Sequence, residues 1–213
     1  MELITGLFSF VLHIDTHLGE IIIRYGSLSY AILFLILFAE TGFVFTPFLP
    51  GDSLLFAAGA FSAIGSFHIG ILLAILWIAA FLGDTVNYWI GHFFGQKLID
   101  NPKIPINQDH IDKTQHFYDK HGGKTIFLAR FIPIIRTFAP FVAGIGKMKY
   151  SKFLYYNITG GFVWVFSFTL LGYFFGNIPL VKENFSVIIL VIIFLSIFPM
   201  ILEFIKHKRR LVT

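Results

Sequence analysis

No cysteine occurs among the 213 residues, and only 13% of them are charged. Without a thiol there is no disulfide scaffold, no cysteine nucleophile and no thiolate-ligated metal. Soluble domains carry about 25% charged residues, so the shortage of charge leaves too little polar surface for a soluble globule. The first residues also lack a basic start followed by a cleavage site. Glu2, Asp15 and Glu20 stand there against Arg24 alone, so no signal peptide is expected. Residues 1–26 are expected to form a short amphipathic lead-in at a membrane surface.

Other absences narrow the chemistry. The eight histidines form no HExxH or comparable ligand pattern, so no metal site is expected. There is no phosphate-binding glycine loop and no serine nucleophile elbow. The expectation is a protein that is not an enzyme and needs no cofactor. The net charge of +4 sits on no separate basic domain, so it gives no ground for a nucleic-acid partner; Lys- and Arg-rich cytoplasmic loops account for it.

What the chain does have is apolar sequence: 56% hydrophobic residues, 28 of all residues being phenylalanine. Six apolar blocks follow one another. Those at 27–45, 69–91, 153–175 and 185–204 approach the roughly 20 residues that cross a bilayer core. The blocks at 46–65 and 126–146 open with closely spaced prolines and polar or charged residues, then run into small residues. Proline breaks the helical ladder, and broken backbone at membrane depth persists only where protein or water surrounds it. Both are read as re-entrant hairpins. The expected fold is all-α, with four spanning helices and two oppositely oriented re-entrant helical hairpins in one transmembrane domain over 27–205, then a basic tail over 206–213.

Charge distribution supports that topology. The loop over 97–124, the loop over 147–152 and the tail hold five, three and four Lys or Arg residues, against Lys182 alone on the other side. This is the positive-inside pattern, and it puts both termini in the cytoplasm. Within the first loop a surface helix is expected from Gln108 to Lys120, its aromatic side toward lipid. A short repeat is also visible: IGHFFG at 90–95 and LGYFFG at 171–176, each ending a spanning helix that follows a hairpin. Two such units in opposite orientation are the pattern of inverted-repeat transporters.

Polar residues inside apolar blocks are costly and mark function or pairing. Glu40 lies near the end of the first span. Asp52 follows Pro50 and Gly51 at the hairpin break, where a helix is expected to begin at Ser53. Asp52 either caps that helix or carries a proton. Asp84 and Tyr88 share one helix face, beside Asn87, as a structural network or a site. Arg130 and Arg136 flank Pro133, with Pro140 beyond. Their guanidiniums stay charged, so each must snorkel, meet a carboxylate or face a water-filled cavity. On an unbroken helix they would point to opposite faces; the proline break allows one shared cavity. Guanidinium also suits bidentate contact with phosphate oxygens. Asn157, Gly160 and Trp164 share a stripe that either packs or lines the cavity. Charge complementarity between Glu40 and Asp52 from one hairpin unit and Arg130 and Arg136 from the other is the expected arrangement.

Four segments together carry a family resemblance: ETGFVFTPFLPGDSLL at 40–55, GDTVNYWIG at 83–91, FLARFIPIIRTFAPFVAG at 127–144 and NITGGFVW at 157–164. In this order they resemble the DedA family of membrane proteins, also called the VTT or SNARE-associated domain family. The resemblance implies a bacterial inner-membrane lipid transporter. Its members are linked to recycling undecaprenyl phosphate, to lipid scrambling and to proton-dependent membrane physiology. It further implies Glu40 and Asp52 as proton-coupling residues and Arg130 and Arg136 as substrate-binding ones. The partners are then an anionic membrane lipid (undecaprenyl phosphate or a phospholipid) and protons, and self-association into a homo-oligomer stays open. A proton-coupled small-ion transporter, a phospholipid scramblase and an envelope assembly factor are the alternatives.

Overall fold

The computed structural model describes residues 14–43, 51–99, 108–176 and 178–179. The lead-in before residue 14, the opening of the first hairpin with Pro50, residues 100–107 of the cytoplasmic loop, the sixth apolar block and the basic tail lie outside the described residues.

The described residues form helices and no strands. Helix α1 runs Ile14–Tyr25 and is joined to α2, Ser29–Gly42, by a single 3-10 turn over Gly26–Leu28. Then come α3, Gly51–Ala63, and the long α4, Ile69–Ile99. Helix α5 spans Gln108–His121, and after a second 3-10 turn come α6, Thr125–Ala129, α7, Pro133–Ile145, and α8, Tyr150–Phe175. Among the described residues, three stretches are long and apolar enough to cross a membrane: Leu18–Gly42, Ile69–Gly95 and Tyr150–Phe175. Their exposed residues include Leu35, Ile71, Ile78, Phe93, Phe94, Tyr155, Phe162 and Phe174, an apolar exterior suited to lipid rather than water.

The short helices are set by local chemistry. Proline pushes its predecessor out of the helical region, and Ile132 before Pro133 takes φ −124°, ψ 105°. The chain therefore breaks over Arg130–Ile132 and restarts with Pro133 in the first turn of α7, where a missing N–H costs nothing. Helices α3 and α7 end alike. In α3 the Ser66 N–H reaches the Phe61 carbonyl and the Gly65 N–H reaches Ser62; in α7 Met148 reaches Ala143 and Lys147 reaches Gly144. Each is a Schellman motif with a left-handed residue, Gly65 at φ +88° and Lys147 at φ +51°. Helix α3 begins at Gly51 rather than at Ser53. Asp52 accordingly sits inside the first turn and not at the cap, a place where the helix dipole still favours a carboxylate.

The chain divides into two compact, interleaved units. One draws on Met1–Arg24, Pro50–Phe67 and Phe168–Thr213, the other on Tyr25–Leu49 and His68–Ser167. In the first, α3 lies on the end of α8 at backbone distance. A methyl group at Gly59 would overlap the Thr169 carbonyl, one at Gly172 the Phe56 carbonyl, and one at Gly176 the Ala60 side chain. In the second, α7 lies on α4 in the same manner. A methyl at Gly91 would overlap the Phe141 carbonyl, one at Gly144 the Tyr88 carbonyl, and one at Gly95 the Ile145 side chain. Gly91 and Gly95 of IGHFFG thus do what Gly172 and Gly176 of LGYFFG do. Small residues that let backbones meet are the usual means of helix association in lipid. The repeat recurs in packing: each of the two long helices carries the short helix from the other half of the sequence.

Helix α5 differs from expectation in its orientation. Its apolar side turns onto α7 instead of lipid, with Ile111 clustering with Phe138, Phe141 and Val142, and Tyr118 packed beside them. The Tyr118 hydroxyl donates to the Ala139 carbonyl at 2.9 Å. Burial, with Asp84 adding to it, pushes this phenol well above its ordinary value, so it keeps the proton that it donates.

Candidate functional site

Two ion pairs lie within the second unit, and both arginines come from the broken segment of α6 and α7. Arg130 stands at the break itself. Its Nη2 donates to Asp84 Oδ2 and to Asn157 Oδ1, each at 2.6 Å. Six residues on, inside α7, Arg136 donates from Nη2 to Glu40 Oε1 at the end of α2. All four charged side chains are buried, Glu40 to 1% and Arg130 to 2% relative exposure.

The break brings the guanidiniums to one side. Arg136 Cζ lies 5.0 Å from the centre of the Trp164 ring and Arg130 Cζ lies 5.7 Å from it. Trp164 is fully buried in α8, so a single indole serves as the cation–π partner of both arginines. The side chain of Arg130 runs over Gly160 and Gly161, whose lack of Cβ leaves room for its Cδ, Nε and Nη2. Asn157 is held in turn: its Nδ2 donates to the Phe81 carbonyl at 3.1 Å and to Thr85 Oγ1 at 3.3 Å. Its Oδ1 is thereby aimed at Arg130.

Removing two carboxylates and two guanidiniums from water is expensive, and pairing compensates it only in part. The compensation at Arg130 is one-sided. Nη2 is fully engaged, whereas Nε and Nη1 are buried with no hydrogen-bond partner among the described residues. These nitrogens lie on either side of Nη2, and unpartnered N–H donors on a buried cation suit an oxyanion.

The residues singled out in the sequence fare differently. Glu40 with Arg136, and Asp84, Asn157 and Trp164 with Arg130, are brought together. Tyr88 joins neither pair: it donates to the Met148 carbonyl at 2.5 Å and packs on Phe153. Asp52 belongs to the other unit. Pro133 places the break, and Pro140 lies buried within α7. Asn87, which the sequence sets beside Asp84 and Tyr88, joins neither pair, although an amide in the middle of an apolar helix signals a required partner. No group of three or more His, Asp or Glu side chains that could hold a metal occurs among the described residues.

A helical protein with apolar spans and buried, paired arginines at a helix break is a membrane protein, and comparison with known proteins gives its family. The VTT domain model matches residues 49–174. The chain is 55% identical to Protein DedA of Escherichia coli (strain K12) over 212 residues, covering 98% of this chain and 97% of that protein. It is 43% identical over 170 residues to an uncharacterized membrane protein of Mycobacterium tuberculosis (strain H37Rv), covering 78% and 74% of the two chains. Inner membrane protein YqjA of E. coli (strain K12) is 34% identical over 151 residues, 70% of this chain and 69% of that one. No solved structure matches. The chain belongs to the DedA family of membrane proteins, with a VTT domain.

Proposed function

We propose that this protein translocates a polyprenyl-phosphate carrier lipid, undecaprenyl phosphate, across the bacterial inner membrane, driven by protons. The observation that carries the reading is the half-satisfied guanidinium of Arg130 beside Arg136 on the Trp164 ring. Two buried cations that share an indole, one with two unpartnered N–H donor nitrogens, have the chemistry of a phosphate headgroup site. The isoprenoid tail stays in lipid throughout, which avoids moving methylenes worth about 0.8 kcal/mol each. The protein then has only headgroup desolvation to offset.

In this mechanism the phosphate displaces carboxylates from the arginines. Glu40 leaves Arg136 when it takes a proton, and Asp52 is the second proton-coupling residue. Deprotonation restores the pairs and expels the headgroup on the other face. Four spanning helices and two opposed re-entrant hairpins, with both termini in the cytoplasm, give the headgroup its two entrances. The assembly-factor reading has one observation in its favour, namely that each arginine already has a carboxylate partner.

Translocation in proteoliposomes separates them. The native chain is expected to move the headgroup of undecaprenyl phosphate, faster under an imposed proton gradient, while folded Arg130→Ala and Arg136→Ala chains do not. Excess free phosphate that inhibits as strongly as whole lipid would point to a small-ion carrier; a folded native chain that moves no lipid refutes the proposal. The topology has its own test, helped by the absence of native cysteine. Single cysteines at Lys120 and Lys149 should react with an impermeant maleimide from the same side, and one at Ser66 from the other. Labelling of Lys120→Cys and Lys149→Cys from opposite sides contradicts a re-entrant α6–α7.

A further inference from the structure

Asn87 sits on α4, fully buried, and is part of neither ion pair. Its Nδ2 donates to two carbonyls on two other helices: Thr41 on α2 at 3.1 Å and Thr137 on α7 at 2.8 Å. Thr41 is the residue after Glu40, and Thr137 the residue after Arg136. One amide therefore uses both of its N–H groups to hold the backbone next to each member of the Glu40–Arg136 pair.

The surroundings make this bridge consequential. At Thr41 the helix α2 is about to end, with Phe43 already extended at φ −117°, ψ 127°. Close by, Gly42 and Gly83 bring α2 onto α4, where a methyl at Gly83 would overlap Thr41 Oγ1. On α7, Pro140 has no N–H to return to the Arg136 carbonyl, so that turn of helix is less constrained by its own ladder. Both backbone segments that carry the pair are thus at weak points of their helices. The Oδ1 of Asn87 is buried and accepts no hydrogen bond among the described residues, so the amide has been placed for its donors alone, at the expense of its acceptor.

We infer that Asn87 is a positioning residue for the Glu40–Arg136 pair: it fixes the spacing of α2 and α7 so that the carboxylate and guanidinium meet against Trp164. The inference stands on the ion pair and not on the identity of anything transported, and its tests need no transport. In chains with Trp77→Phe and Trp89→Phe, Trp164 is the only tryptophan. Its emission reports the guanidinium above its ring. Glu40→Gln with Arg136→Met gives the emission of a dismantled pair. Asn87→Leu, which keeps the volume and removes both donors, should move the emission in the same direction. Added to Glu40→Gln and Arg136→Met, it should change nothing further.

Thermal stability in detergent provides the second readout by a mutant cycle. The fall in Tm caused by Asn87→Leu should shrink by more than half when the pair is already absent. Where Asn87→Leu does not yield a monodisperse chain, Asn87→Ala and Asn87→Ser take its place, and Ser, keeping one donor, should retain part of the native emission. Unchanged Trp164 emission together with an equal loss of Tm in both backgrounds would make Asn87 a packing residue and overturn the inference.

Discussion

Replacing Asp84 by leucine should be among the most damaging single changes in the chain, and removing Arg130 as well should undo the damage. Arg130 cannot shed its charge, and it is buried against Asp84 with one arm of the guanidinium fully committed. Loss of one partner of a buried pair costs about 3–5 kcal/mol, because the other charge is left uncompensated. Replacing both by apolar residues of similar volume is often neutral or stabilising. Asp84→Leu is therefore expected to lower Tm sharply or prevent recovery of folded protein. Asp84→Leu with Arg130→Met should melt near the native chain and be inactive in translocation. The double variant separates the two roles of the pair. A refolded and fully active double variant would show that Arg130 serves structure alone.

The second large effect is expected at the glycines where helices meet backbone to backbone. Gly91→Ala places a methyl on the Phe141 carbonyl, and Gly172→Ala places one on the Phe56 carbonyl. Overpacking of this kind costs about 1–3 kcal/mol, and more where the opposing atom is backbone that cannot swing away. In lipid, no hydrophobic drive rescues the contact. Leucine at either position should give no monodisperse protein. The control is Gly70→Ala, where the nearest atom to the new methyl belongs to the His68 ring at 3.5 Å; it should cost little. Equivalent losses at Gly91 and Gly172 would confirm that the repeat is functional in packing, whereas tolerance at one of them would confine close packing to one unit.

Much of this architecture was legible in the residues. Helical blocks follow from apolar length, the break at Arg130–Ile132 follows from Pro133, and the repeat follows from glycines whose spacing the packing then uses. Glu40, Arg130 and Arg136 stood out because a charge in apolar sequence must have a partner. Which partner was not legible. Asp84 meets Arg130 only because Gly91 and Gly144 let α7 settle on α4 at one register, a tertiary event with no local signature. The aromatic side of α5 looked suited to lipid, since sequence distinguishes apolar from polar surroundings but not protein from acyl chain. Asp52 reads as a cap because Pro50–Gly51 looks like a break before Ser53, while the helix takes Gly51 and Asp52 into its first turn. Asn87 stood out beside Asp84 and Tyr88, but its partners, carbonyls on two other helices, have no mark in the sequence.

The central claim is that a lipid phosphate engages the arginines over Trp164, and it is tested most directly by binding. With Trp77→Phe and Trp89→Phe, the protein in nanodiscs is titrated with undecaprenyl phosphate and, in parallel, with undecaprenol, which has the same tail and no phosphate. The account predicts a saturable change in Trp164 emission with the phosphate lipid alone, lost in Arg130→Met with Asp84→Leu. An equal response to undecaprenol, or no response from a folded chain, would contradict it.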